Sequence, residues 1–195
     1  MPVFPSLGDA PDLAAVYRRF PASFAPLLEY HDRVLRDASP LTVAERELIA
    51  AYVSGLNACT YCHGSHLLAA QAFGIDPGMI EALLAEIDDS GVDAKLRPLL
   101  AYVAKLTRTP ARLTDADAQA VYMAGWSEQA LFDAISVCGL FNLMNRMVAG
   151  AGIAIDPLLQ DDDDKTARAK RMATPGDDPH RAERSYSKLP DIWSK

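Results

Sequence analysis

No run in this chain alternates apolar and polar residues with period two between hairpin turns, which excludes a sheet and leaves an all-α fold as the expectation. No stretch of about 18 uncharged apolar residues occurs, so no transmembrane helix is expected. The first residues, Met1-Pro2-Val3-Phe4, lack a basic region followed by an apolar run, so no secretory leader is expected and the cytoplasm is the expected location. Positive charge is also scarce. Lys and Arg number 19 against 26 Asp and Glu, a net charge of -7 with no basic stripe, which argues against nucleic acid and anionic membranes as partners. No glycine-rich phosphate loop is present to hold a nucleotide. Only three cysteines occur, too few for a disulfide scaffold, and with 50% hydrophobic residues a core can form without one.

What is present is helical punctuation. Asp12 to Phe20 and Phe24 to Leu35 form two short amphipathic segments on either side of Pro21. Thr42 and Glu45 have capping-box spacing and open a helix running to about Asn57. A second helix begins near Cys59 and ends at Gly74, and Asp76-Pro77 opens a third. Val92 to Thr107, a short segment capped by Thr114, and a long apolar segment from Ser127 to about Ala149 complete the helical domain, placed at residues 1–157. After Pro157 the apolar periodicity ends. Residues 158–195 read as an extended or disordered arm, with Tyr186, Leu189, Ile192 and Trp193 as anchors that favour contact with the core or a neighbouring subunit. Asp161 to Asp164 with Lys165 read as a solvated charge run.

The chemistry concentrates between Glu47 and His66. Cys59 and Cys62 lie one helical turn apart, and His66 falls on the same stripe at about 100° per residue. A thiolate is the reactive form of cysteine, and a helix N-terminus favours it through unpaired N–H groups and the dipole. A histidine one turn away can take the proton, and a second cysteine can trap a sulfenic acid as a disulfide. Glu47, on the preceding helix, can orient the imidazole from the edge of the core. Its face continues through Ala51, Ser54 and Gly55, small residues that let a neighbouring helix approach. The same donors, two thiolates, one imidazole and one carboxylate, could instead fill a tetrahedral zinc site in a non-catalytic oligomer. Cys138, in an apolar helix, reads as a buried inert thiol. Asn142, Asn145 and Arg146 on that helix need polar partners, for which a subunit or tail contact is the expectation. His63 points off the stripe and is expected to be exposed, and Trp126 is expected to pack on the core.

Glu47, Cys59, Cys62 and His66 together resemble the Glu-x11-Cys-x2-Cys-x3-His motif of the alkylhydroperoxidase D (AhpD)-like group in the carboxymuconolactone decarboxylase superfamily. Phe141-Asn142-Leu143-Met144-Asn145-Arg146 resembles its uncharacterised peroxidase-related branch. The resemblance implies an AhpD-like helical bundle, a homo-oligomer (dimer, trimer or hexamer), and an antioxidant thiol peroxidase that needs no cofactor or metal. By the same resemblance Cys62 attacks the hydroperoxide, Cys59 donates a proton and resolves, and His66 and Glu47 form the proton relay. An external dithiol, of the lipoyl or thioredoxin type, then reduces the disulfide. One position beside the pair departs: Tyr61 stands where the best-studied members carry histidine, and a phenol with a pKa near 10 donates a hydrogen bond but is no base at neutral pH. The alternative activity is general thiol-disulfide exchange or redox sensing.

Overall fold

The computed structural model describes residues 3–9, 11–153 and 186–188. Eight α-helices and no strand occur among them: α1 Leu13–Arg19, α2 Pro21–Arg36, α3 Val43–Leu56, α4 Thr60–Ala72, α5 Pro77–Ala85, α6 Arg97–Arg108, α7 Asp115–Met123 and α8 Glu128–Gly150. The all-α expectation holds.

The helix starts follow local chemistry. Thr42 and Glu45 form the expected reciprocal capping box of α3, with the Glu45 amide donating to Thr42 Oγ1 at 3.2 Å and the Thr42 amide to Glu45 Oε2 at 2.7 Å. Ser127 caps α8 and Asp76 caps α5. Pro21 opens α2 rather than merely separating two segments, because its fixed φ suits the first helical position. The expected helix from Val92 starts only at Arg97. Residues 92–96 form a turn instead, and Pro98 is accommodated in the first turn of α6.

The central element is α3, whose residues from Arg46 to Ser54 are all buried. It packs antiparallel to α4, as the contacts show: Glu47 meets His66, Ala51 meets His63, and Ser54 meets Cys59. Gly55 lets α5 in, since a Cβ there would lie 2.7 Å from the methyl groups of Leu84. Helices α2, α6 and α8 close the main core around Leu35, Leu48, Ile49, Leu99, Leu100 and Phe141. A smaller cluster joins α1 and α2 through Val16, Tyr17, Phe24 and Leu28.

Among the described residues α8 is the one helix long and apolar enough to cross a bilayer, although it lacks the uncharged run sought in the sequence. Half of its most apolar window is buried inside the fold. Its buried Asn145 bonds Ser54 of α3, its part-buried Asp133 accepts from Ser39 in the α2–α3 loop, and its part-buried Asn142 accepts from Asn57 just past α3. Most of the 158–195 arm lies outside the described residues. Within it, the amides of Tyr186 and Ser187 donate to the Asp32 carboxylate at 2.6 and 3.0 Å, and the Tyr186 ring stacks at a tilt on His31.

Candidate active site

Cys59 is the N-cap residue of α4 and Cys62 lies one turn further, both buried and both free thiols. The chain reaches Cys59 through Asn57 and Ala58. Ala58 has φ +53°, a left-handed conformation that disfavours a side chain and costs on the order of 1 kcal/mol. The Cys59 amide donates to the Ser54 carbonyl at 2.9 Å, and its own carbonyl accepts the His63 amide at 2.9 Å, the first hydrogen bond of α4. This tight corner places Cys59 at the N-terminus of the helix.

The electrostatics of the pair are asymmetric. A hydrogen bond from the Cys62 thiol outweighs burial and, with the backbone amides of Cys62 and Tyr61 and the Asn145 side chain, holds the Cys59 thiol down at about 6. The Cys62 thiol moves the other way, raised by its bond to Cys59, by burial and by the Cys59 charge. The two shifts run in opposite directions, Cys59 down and Cys62 up, so the pair favours a single thiolate.

His66, one turn beyond Cys62 on α4, is buried and lies 2.6 Å from Glu47 through its Nδ1. With Nδ1–H donated to the carboxylate, Nε2 is the nitrogen available as base. The ring stands edge-on to Phe141 of α8, with centroids 4.3 Å apart. Glu47 is not at the edge of the core, where the sequence placed it, but wholly inside, with 0% exposure. The reason is Arg36 at the end of α2, whose Nη2 lies 2.6 Å from the other carboxylate oxygen. Burial would push the Glu47 carboxyl up; Arg36, and then His66, overcome it and hold it at about 2. Burial likewise opposes the charge on Arg36, and Glu47 reverses this and raises its pKa. Arg36 in turn lies against the rings of Phe73 and Tyr186, with centroid distances of 5.7 and 5.4 Å.

The four motif residues thus fall on two packed helices, α3 and α4, as their spacing indicated. Two further residues reach the site from outside the motif. Arg36 gave no local signal, because only the packing of α2 brings it to Glu47. Asn145 was legible as a polar residue in an apolar helix that needed partners, but its partners are Asn57 and Ser54 at the corner before Cys59. His63 is half-buried rather than exposed, bonding the Ala51 carbonyl at 2.8 Å, because the small Ala51 and Gly55 bring α4 close to α3. Tyr61 is part-buried against the main core. Cys138 is buried as expected, its sulfur 3.2 Å from Thr107 Oγ1. Trp126 packs against the core and donates to the Lys95 carbonyl at 2.8 Å. No cluster of three or more His, Cys, Asp or Glu side chains is placed to hold a metal ion among the described residues. Both oxygens of Glu47 are already engaged, by Arg36 and His66, which leaves the zinc set one donor short.

Residues 21–89, from α2 through α5, match the carboxymuconolactone decarboxylase family. That span holds Arg36, Glu47, both motif cysteines and His66, but not α8. No curated protein matches the chain. Among solved structures, an uncharacterised peroxidase-related protein from Silicibacter sp. TM1040 aligns at TM-score 0.68 and 27% identity over 74% of this chain and 75% of its own. An uncharacterised peroxidase-related protein with an alkylhydroperoxidase AhpD core, from Ralstonia eutropha JMP134, aligns at TM-score 0.70 and 21% identity over 83% and 80%. The debrominase Bmp8 aligns at TM-score 0.65 and 15% identity over 82% and 81%. The last two likenesses establish the fold alone.

Proposed function

We propose that this AhpD-like chain, with its carboxymuconolactone decarboxylase family segment, is a thiol-dependent peroxidase working through Cys59 and Cys62. The observation that carries the reading is the pairing of two free thiols at the N-terminus of α4 with a buried Arg36–Glu47–His66 chain on the same helix face. The Cys59 thiolate attacks the terminal oxygen of a hydroperoxide. The O–O bond breaks, Cys59 becomes a sulfenic acid, and the departing alkoxide takes the Cys62 proton and leaves as an alcohol. The Cys62 thiolate then attacks the Cys59 sulfur, forming the disulfide, and hydroxide leaves as water with the proton that His66 Nε2 took from Cys59 when its thiolate formed. An external dithiol of the lipoyl or thioredoxin kind returns both thiols and is itself oxidised to a disulfide.

This reverses the division of labour implied by the family resemblance, in which Cys62 attacks. The reason is local: Cys59 is the N-cap of α4 and its thiol is pulled down, whereas the neighbouring Cys59 and burial push the Cys62 thiol up. A second reading, disulfide exchange without peroxide specificity, is favoured by Tyr61, whose phenol cannot serve as a base beside the pair.

Stopped-flow oxidation by cumene hydroperoxide and hydrogen peroxide, with thiols counted before and after, separates the two. Rapid loss of two thiols per chain supports the peroxidase, and a rate no better than free cysteine supports exchange. Cys62→Ser is expected to leave a dimedone-trappable sulfenic acid on Cys59. Sulfenic acid on Cys62 in Cys59→Ser, formed at the wild-type rate, would return the attacking role to Cys62.

A further inference from the structure

The corner that aims Cys59 is held from outside the motif. Asn145, on α8, is 3% exposed and hydrogen-bonded on both sides of its carboxamide. Its Oδ1 accepts from Asn57 Nδ2 at 2.8 Å, and its Nδ2 donates to Ser54 Oγ at 3.0 Å. Ser54 and Asn57 flank the segment in which Ala58 is left-handed, and the Ser54 carbonyl receives the Cys59 amide.

The direction of these bonds follows from the groups at the far end. The Cys138 carbonyl can only accept, so Asn142 turns its Nδ2 to it, at 3.0 Å. Asn142 Oδ1 then faces Asn57 Nδ2 at 3.2 Å, and Arg146, a pure donor, also lies on that oxygen at 2.9 Å. Asn57 therefore presents N–H to Asn145 Oδ1, which turns the Asn145 amino group toward Ser54 and the thiols. One of its two protons serves Ser54. The Asn145 side chain also pulls both cysteine thiols down, which favours the thiolate.

We propose that Asn145 is a positioning residue of the cysteine site, clamping the Asn57–Ala58–Cys59 corner in its left-handed conformation through Asn57 and Ser54 and so setting the environment of the Cys59 sulfur. The inference rests on the thiol reading of the site and extends it to α8, a helix outside the family match. It explains a buried, fully engaged asparagine in an otherwise apolar helix. A subunit contact does not, since Asn145 is already covered within its own chain.

The test is the pH profile of Cys59 alkylation by iodoacetamide, followed on the Cys59 peptide by mass spectrometry. In Asn145→Ala the midpoint is expected to rise by about one pH unit, leaving roughly tenfold less thiolate at pH 5, as suits a corner no longer held and the loss of a polar group beside a charged sulfur. Should the single variant not fold, Ala58→Gly supplies the left-handed turn without strain, and the double variant Asn145→Ala/Ala58→Gly, compared with Ala58→Gly alone, carries the same test. An unmoved midpoint in the folded variant overturns the proposal. Peroxide consumption is measured on the same samples. A wild type that ignores peroxide while Asn145→Ala shifts the alkylation midpoint sinks the peroxidase reading and leaves the role of Asn145 standing.

Discussion

Replacing Arg36 with Met tests whether a buried charge network, and not packing, holds the relay in place. Glu47 has no exposure, and its carboxyl falls from the ordinary 4.5 to about 2 on folding. At 1.36 kcal/mol per pH unit, the ionised carboxylate contributes roughly 3 kcal/mol of stability. A carboxyl whose folded pKa is depressed gives this contribution in full above pH 4.5 and loses it as pH falls toward 2. Arg36→Met keeps most of the apolar stem against Phe73 and Tyr186 but leaves Glu47 buried with His66 alone. Removing one partner of a buried pair costs about 3–5 kcal/mol, so a loss of that order is expected at pH 7. Urea unfolding of both proteins between pH 7 and 2.5 is the assay. The gap should narrow as pH falls below 4.5, because the wild type then loses what the variant never had. A gap of constant size across that range would refute the reasoning and assign Arg36 a packing role.

Three further perturbations bear on other parts of the fold. Burial lowers the His31 pKa from 6.5 to about 4, against the pull of the Leu27 carbonyl, so the neutral ring favours the native state above pH 6.5 and that contribution is lost as pH falls to 4. His31→Gln should flatten the stability profile in that window, measured by urea titration. Tyr186→Ala removes the ring 5.1 Å from His31 and opens it to water; the His31 midpoint, followed by NMR, should rise from about 4 toward its ordinary value. Gly55→Ala drives a methyl to 2.7 Å from the Leu84 side chain and 3.1 Å from His63 Nδ1. It should cost about 1–3 kcal/mol in thermal unfolding, and an unchanged melting temperature would mean that α5 moves away freely.

Much of the fold was legible because helix starts and stops are local. Thr42 and Glu45 satisfy the amides of their own first turn, and Asp76-Pro77 and Ser127 act within three residues. The start of α6 was misplaced for a related reason. The apolar spacing continues through Val92 and Leu96, but those residues reach the core from a turn, and helical geometry begins only beside Pro98. The tight packing of α4 on α3 was legible in Ala51, Ser54 and Gly55, whereas the burial of His63 was not, since it depends on which carbonyl the neighbouring helix presents.

By itself, the sequence determined that the chain is helical and that two thiols and an imidazole share one stripe of one helix, since these depend only on the rise and twist of an α-helix. It also identified Glu47 as their carboxylate partner through the spacing of two successive helices. Tertiary structure decided the electrical state of that site. Glu47 is ionised in the core because α2 delivers Arg36 to it, and the corner that carries Cys59 into the start of α4 is bonded from α8 through Asn145, Ser54 and Asn57. Charge in a low-dielectric interior depends on every group within a few ångströms, and those groups come from residues 36 and 145, far from the motif in the chain.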